Sequence, residues 1–120
     1  MESAYYLLRR GKELLKEGEP AQAALVLEKA RSYAPGKGSI LEPLAIAYFS
    51  YGQYPEALDR FLEATEVDPT NDYAHYCAGV CLLKMGKKNE AKKHFKIAWF
   101  LRPREEYMLM ARRFGIESKR

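Results

Sequence analysis

Four side chains in this sequence have the chemistry a reactive site would draw on: His75, His94, Cys77 and Cys81. An imidazole can move protons near neutral pH, and a thiolate can attack a carbon or hold a metal. Their spacing argues against both uses. Cys77 and Cys81 stand one helical turn apart and would share a helix face; a bridge between them would be strained and would close a loop too short to constrain the chain. His75 and Cys77 are two residues apart, which on a helix sends them in different directions, and no fourth ligand is at hand to complete a metal site with Cys81. His94 sits among lysines on an outward face and is far in register from His75. Each glycine is accounted for by a turn or a close helix crossing, so no loop is left to cradle a phosphate. The chain therefore reads as no enzyme, with no catalytic residue, no metal and no cofactor. Its cysteines read as reduced packing residues.

What positions these residues is a run of helices. The stretch LEPLAIAYFSYGQYPEALDRFLEATEVDP, Leu41 to Pro69, holds two helical patterns parted by Ser50-Tyr51-Gly52-Gln53, and the second carries Ala57, Phe61 and Ala64 on one face. A shift of 34 residues lays this hairpin over the chain before and after it. Gly11, Ala45 and Gly79 superpose; so do Leu14, Tyr48 and Leu82, then Gly18, Gly52 and Gly86, then Ala23, Ala57 and Ala91. The columns continue through Leu27, Phe61 and Phe95, Ala30, Ala64 and Ala98, and Pro35, Pro69 and Pro103. Helices are expected over about 3–16, from Pro20 to near Tyr33-Ala34, from Ser39 onward, and over about 54–66, 73–85 and 88–101. Ser3, Ser39 and Asn71 or Asp72 are the candidate caps, and Pro20 fits a first turn, where no donor is missed. Pro43 implies either a helix that starts near Glu42 or a proline tolerated near the open end. A last helix over 105–114 would place Leu109 in the column of Leu7, Leu41 and His75, cover the end of the stack and show Arg104, Arg112 and Arg113 to water; residues 117–120 should fray.

In these columns the chain resembles the tetratricopeptide repeat family, from about Ala4 to Gly115. The resemblance implies an all-α fold, three tandem helical hairpins (about 4–37, 38–71 and 72–105) in a right-handed superhelix, with a capping helix over about 105–115, all in one domain. It departs locally: Leu7, Leu41 and His75 replace the usual aromatic, and Arg10 stands where the other units have Leu44 and Ala78. The family implies a non-catalytic adaptor or chaperone-like module whose first helices line a concave face that receives a partner peptide. Projected on those helices, the groove would present Tyr5, Arg9, Lys12 and Lys16, then Ser39, Pro43, Ile46 and Phe49, then Tyr73, Cys77, Val80 and Lys84. It would be apolar in its middle, with tyrosine and positive charge towards both ends, although Ile46, Phe49 and Val80 also suit packing between hairpins. Family members that hold the acidic tails of heat-shock chaperones use a clamp of lysine, asparagine and arginine, because a terminal carboxylate needs several charge-assisted donors. The matching positions here are Leu8, Lys12, Pro43, Tyr73 and Cys77, which leave one donor. The expected ligand is instead a protein or peptide with an apolar or aromatic segment, flanked by acids that meet Arg9, Lys12 and Lys84.

Charge offers a different surface. The net +4 divides unevenly: residues 1–83 hold 8 basic and 12 acidic side chains, residues 84–120 hold 12 and 4. Lys88, Lys92, Lys93 and Lys96, with Arg112 and Arg113, could attract nucleic acid, a membrane surface or an acidic protein. No aromatic platform is interleaved with them, which speaks against nucleic acid. Self-association through the groove or the cap face is a third possibility. With 48% hydrophobic and 30% charged residues, no apolar run long enough to span a membrane and a charged, amphipathic start, the expectation is a cytoplasmic globular protein.

Overall fold

The computed structural model describes residues 2–113, and these fold into seven α-helices with no strand among them. They are α1 (Ala4–Lys16), α2 (Pro20–Tyr33), α3 (Gly38–Ser50), α4 (Tyr54–Val67), α5 (Asp72–Lys84), α6 (Lys88–Leu101) and α7 (Glu105–Arg113). Three antiparallel hairpins, α1–α2, α3–α4 and α5–α6, stack side by side into an α-α superhelix measuring 55 × 24 × 20 Å.

The repeat is visible in the hydrogen bonds themselves. At each hairpin turn an amide reaches back to the carbonyl five residues earlier: Glu19 to Leu14 at 2.8 Å, Gln53 to Tyr48 at 2.9 Å and Lys87 to Leu82 at 2.8 Å. That closure needs a left-handed residue before the donor, and Gly18, Gly52 and Gly86 supply it with φ of 78°, 84° and 78°. Caps follow sequence in two cases of three. The Ser3 hydroxyl accepts from the Tyr6 amide, and the Asn71 side chain accepts from the Ala74 amide. Ser39 does not cap α3. That helix begins at Gly38 with Lys37 at the cap position, and the Ile40 and Leu41 amides both bond to the Lys37 carbonyl. Pro43 is accommodated inside the helix.

The core runs as a file of small and large side chains along the hairpin crossings. Ala23, Leu27, Ala57, Phe61, Ala91 and Phe95 are at most 2% exposed. Each buried leucine or phenylalanine contributes about 1.5–3 kcal/mol, so this file holds the stack together. Alanine and glycine opposite the large rings let the helices approach: a Cβ added at Gly79 would lie 2.6 Å from Phe95 Cε1.

The terminal helix corrects one expectation. Leu109, placed by register on the inner side, is 56% exposed, while Tyr107 and Ala111 are each 1% exposed. Leu7 and Leu41 are buried by the second helix of their own hairpins; α7 has no such partner among the described residues and turns a different side onto α5 and α6. Tyr107 packs on Tyr76 with ring centroids 4.9 Å apart, and its hydroxyl donates to Asp72 at 2.7 Å. Arg104, Arg112 and Arg113 face water as expected. Phe114 and residues 117–120 lie outside the described residues.

Candidate functional site

The first helices of the hairpins, α1, α3 and α5, line one side of the stack, and two adjoining hollows open there. One, of about 280 Å³, lies between α3 and α5 and is lined by Ile46, Phe49, Phe61, Tyr73, Tyr76, Cys77 and Val80. The other, of about 340 Å³, lies beside α1 and is lined by Lys12, Gly38, Ser39, Glu42, Pro43 and Ile46. Ile46 belongs to both and forms the sill between them.

Helix periodicity explains the first hollow. Tyr73, Cys77 and Val80 recur at intervals of four and three and so share a face of α5, while Ile46 and Phe49 do the same on α3. Ile46, Phe49, Cys77 and Val80 are half-buried. They pack between hairpins and line the hollow at once, so the two roles weighed from sequence are not alternatives. Phe49 is held edge-on against Tyr54 at 5.2 Å, and Lys84 lies over the Tyr54 ring at 6.0 Å, fixing the far rim. At the near rim Arg9 covers the Tyr5 ring at 5.9 Å. Tyr5 is 69% exposed, and Lys16 is an exposed residue in the last turn of α1, away from both hollows.

Four lining residues are not expected from sequence: Gly38, Glu42, Phe61 and Tyr76. Phe61 belongs to the core file but shows an edge in the hollow, Tyr76 is shared with the α7 contact, and Glu42 adds a carboxylate beside Lys12. For Tyr76 a signal existed: it follows Tyr73 by three residues and precedes Val80 by four, so helical spacing alone sets it on their face. No comparable signal marked Phe61, whose column belongs to the core in all three hairpins.

The thiols behave as packing groups. Burial pushes both up to about 12, with Cys77 further held among Cys81, Glu42 and Glu106, so neither is a thiolate at neutral pH. Burial likewise raises Tyr73, aided by the Cys77 thiol, which keeps its hydroxyl protonated as a donor. Among the described residues no three His, Cys, Asp or Glu side chains gather as a metal site would require. The histidines, however, are not apart. His75 on α5 and His94 on α6 bring their Nδ1 atoms to 3.3 Å, and His94 is half-buried rather than outward. Register misled because antiparallel helices of one hairpin place position 75 opposite 94.

The lysines of α6 present a second surface. Lys88, Lys92, Lys93 and Lys96 are all exposed, and Phe100, 63% exposed, continues the line Lys88, Lys92, Lys96 by one more turn. That ring follows the lysines and does not interleave with them, since Phe95 and Trp99 are buried.

Stacked antiparallel hairpins with a 34-residue register, glycine-closed turns and a hollow inner face define a helical-repeat module. The chain belongs to the tetratricopeptide repeat family: the TPR repeat model matches residues 46–86, and relatives named for the same repeat match the chain. Superkiller complex protein 3 of Mus musculus is 31% identical over 101 residues, 84% of this chain, and that of Homo sapiens is 32% identical over the same length. The chain spans only 6% of either relative's length. Among solved structures, the first TPR of Spaghetti (RPAP3) bound to HSP90 peptide SRMEEVD superposes with a TM-score of 0.87 at 22% identity, covering 95% of this chain and 91% of that one. YrrB, a TPR protein with an unusual peptide-binding site, gives 0.87 at 25% identity, covering 94% and 58%.

Proposed function

We propose that the protein is an interaction module, an adaptor or chaperone-like scaffold, that holds an extended partner segment across α1, α3 and α5. The observation that carries this reading is the pair of adjoining hollows that share Ile46. The apolar one, between α3 and α5, is of a size to take an aromatic or branched side chain, where burial against Phe49, Tyr73 and Val80 supplies the affinity. Lys12, with Arg9 beyond it and Lys84 at the opposite rim, meets acidic residues flanking that anchor. Solved relatives carry peptides, among them SRMEEVD and SGPTIEEVD. At Leu8, Lys12, Pro43, Tyr73 and Cys77 this chain offers a single cationic donor, so acidic chaperone tails of that kind are not its ligands.

Selection of random displayed peptides on the folded protein tests the reading. Enriched peptides should share an aromatic or branched anchor near acidic residues, and Phe49→Ala or Tyr73→Ala, with helicity unchanged by circular dichroism, should lose them. Peptides that bind both variants as well as the parent would dismiss the groove. A second reading rests on the exposed lysines of α6 and Phe100, which suit an acidic partner or a nucleic acid.

A further inference from the structure

We infer that His75 and His94 form a proton-sensitive latch that closes the third hairpin at neutral pH and releases it on mild acidification. The two Nδ1 atoms face each other at 3.3 Å, and the ring centroids are 5.5 Å apart with planes 28° from parallel. The centroid distance exceeds the nitrogen gap by about the radii of two rings, so the imidazoles meet edge to edge along the nitrogen–nitrogen line instead of face to face. That is the geometry of an N–H···N hydrogen bond, in which one Nδ1 carries a proton and the other accepts it.

Counting protons shows why the contact titrates. Two neutral rings make the bond. One imidazolium and one neutral ring still make it, since the charged ring donates. Two imidazolium rings carry N–H on both Nδ1 atoms, so the acceptor is gone and two positive charges stand where the bond was. His75 is 9% exposed, which leaves little water to screen that repulsion.

The surroundings favour the uncharged state. Burial lowers both rings below histidine's ordinary value, and His75 lowers His94 further. The charges that bear on the pair are both on α6: Glu90 favours protonation of His94 and Lys93 opposes it. Between α4 and α5 the Pro69 carbonyl accepts from His75. From α7, Arg104 and Glu106 act on Tyr107, and Asp72 of α5 is engaged by Tyr107, Arg102 and Arg104. Of these, the Glu90 carboxylate and the Pro69 carbonyl favour a charged ring, but burial outweighs both and Lys93 opposes Glu90, so the pair does not hold two protons at neutral pH.

The sign follows from linkage. The unfolded chain takes up protons near 6.5, whereas the folded pair does so only at lower pH. Stability from the pair is thus complete above 6.5 and is lost as pH falls through the folded values. The other hairpins lack the device. At the columns of His75 and His94 the first has Leu7 and Val26, which pack in one apolar cluster, and the second has Leu41 and Arg60. Acid should therefore loosen α5 and α6 before the rest. Because α5 supplies Tyr73, Cys77 and Val80 to the apolar hollow, ligand capture would weaken with it; that consequence rests on the groove reading, whereas hairpin release does not.

The test is urea denaturation of the protein and of the variant His75→Leu with His94→Val, which installs the first hairpin's own pair. Between about pH 7.5 and about pH 5 the folding constant of the parent should fall by about tenfold for each unit by which a ring is held below its ordinary value, and that of the variant should change far less. Equal falls in both would overturn the latch. His94→Gln, which keeps a side-chain donor and acceptor without titrating, serves as the second variant should the first not fold. Proton NMR of the two rings in the unaltered protein decides the matter independently: strongly unequal or depressed titrations support the coupling, and two independent titrations near histidine's ordinary value refute it. A peptide that binds normally at neutral pH is not needed for either measurement, so failure of the groove and failure of the latch give different results.

Discussion

At the scale of single residues, small side chains set the distance between helices. A Cβ at Gly79 would meet Phe95 Cε1 at 2.6 Å and Cδ1 at 2.8 Å, and the phenyl ring, fully buried, has nowhere to retreat. Gly79→Ala should cost about 1–3 kcal/mol by overpacking, read as a lower urea midpoint, even though alanine is the better helix former. The middle hairpin places Ala45 against Phe61 in the same column, so the converse change, Ala45→Gly, should cost only about 0.5–1 kcal/mol of helix propensity there, together with a small void. A Gly79→Ala protein as stable as its parent would mean that α5 and α6 slide apart freely. The thiols give a second prediction at this scale. With Cys77 and Cys81 both pushed up to about 12 by burial, alkylation by iodoacetamide in the folded protein near neutral pH should be far slower than for the urea-unfolded chain; equal rates would show that the α5 wall is open to solvent.

At the scale of elements, α7 is held by a different set of contacts from its predecessors. Its anchor is Tyr107, which fills the space beside Tyr76 and donates its hydroxyl to Asp72. Arg102 and Arg104 also approach Asp72, at 3.6 and 3.5 Å, but both are largely exposed and add little. Tyr107→Phe removes the hydrogen bond to a charged acceptor and should lower stability by about 1.5–3 kcal/mol, with hydrogen exchange accelerating first in α7. Exchange rising uniformly through all seven helices would show instead that α7 unfolds only with the whole. The contrast explains what the sequence disclosed. Helix number, turn positions and the core file were legible because the 34-residue register repeats the same local chemistry: glycine at each turn, alanine at each crossing, leucine or phenylalanine opposite. Of the α3 and α5 side chains that line the apolar hollow, Ile46, Phe49, Tyr73, Cys77 and Val80 could be named from the same register, whereas Tyr76 was not. Ser39 was not, since amides near a helix start can be satisfied by the Lys37 carbonyl without a side chain. Leu109 was not, since a column predicts burial only where the partner that buries it exists. The meeting of His75 with His94 was hidden because register compares equivalent positions between hairpins, and this contact joins non-equivalent positions within one.

At the scale of the whole molecule, the 55 Å length is several times the ~8 Å Debye length at physiological ionic strength, so the acidic part and the basic end act on solutes almost independently. Residues 1–83 carry four more acids than bases, and residues 84–120 carry eight more bases than acids. A polyanion should therefore be drawn to α6 and α7, far from the groove's near rim. How it would be held separates charge from stacking. Neutralised phosphates release counterions, so log affinity falls against log salt with a slope of about −0.7 for each phosphate on a single strand. Replacing Lys92, Lys93 and Lys96 with glutamine should thus flatten the salt slope for a single-stranded oligonucleotide by about 2. Phe100→Ala should leave that slope alone and weaken binding by about 1–3 kcal/mol, since a base stacked on the exposed ring contributes without releasing ions. A triple variant with an unchanged slope would place the polyanion elsewhere, and a silent Phe100→Ala would reduce the basic end to a diffuse attraction. Binding of groove peptides, measured on the same triple variant, should not change, because none of the three lysines lines either hollow.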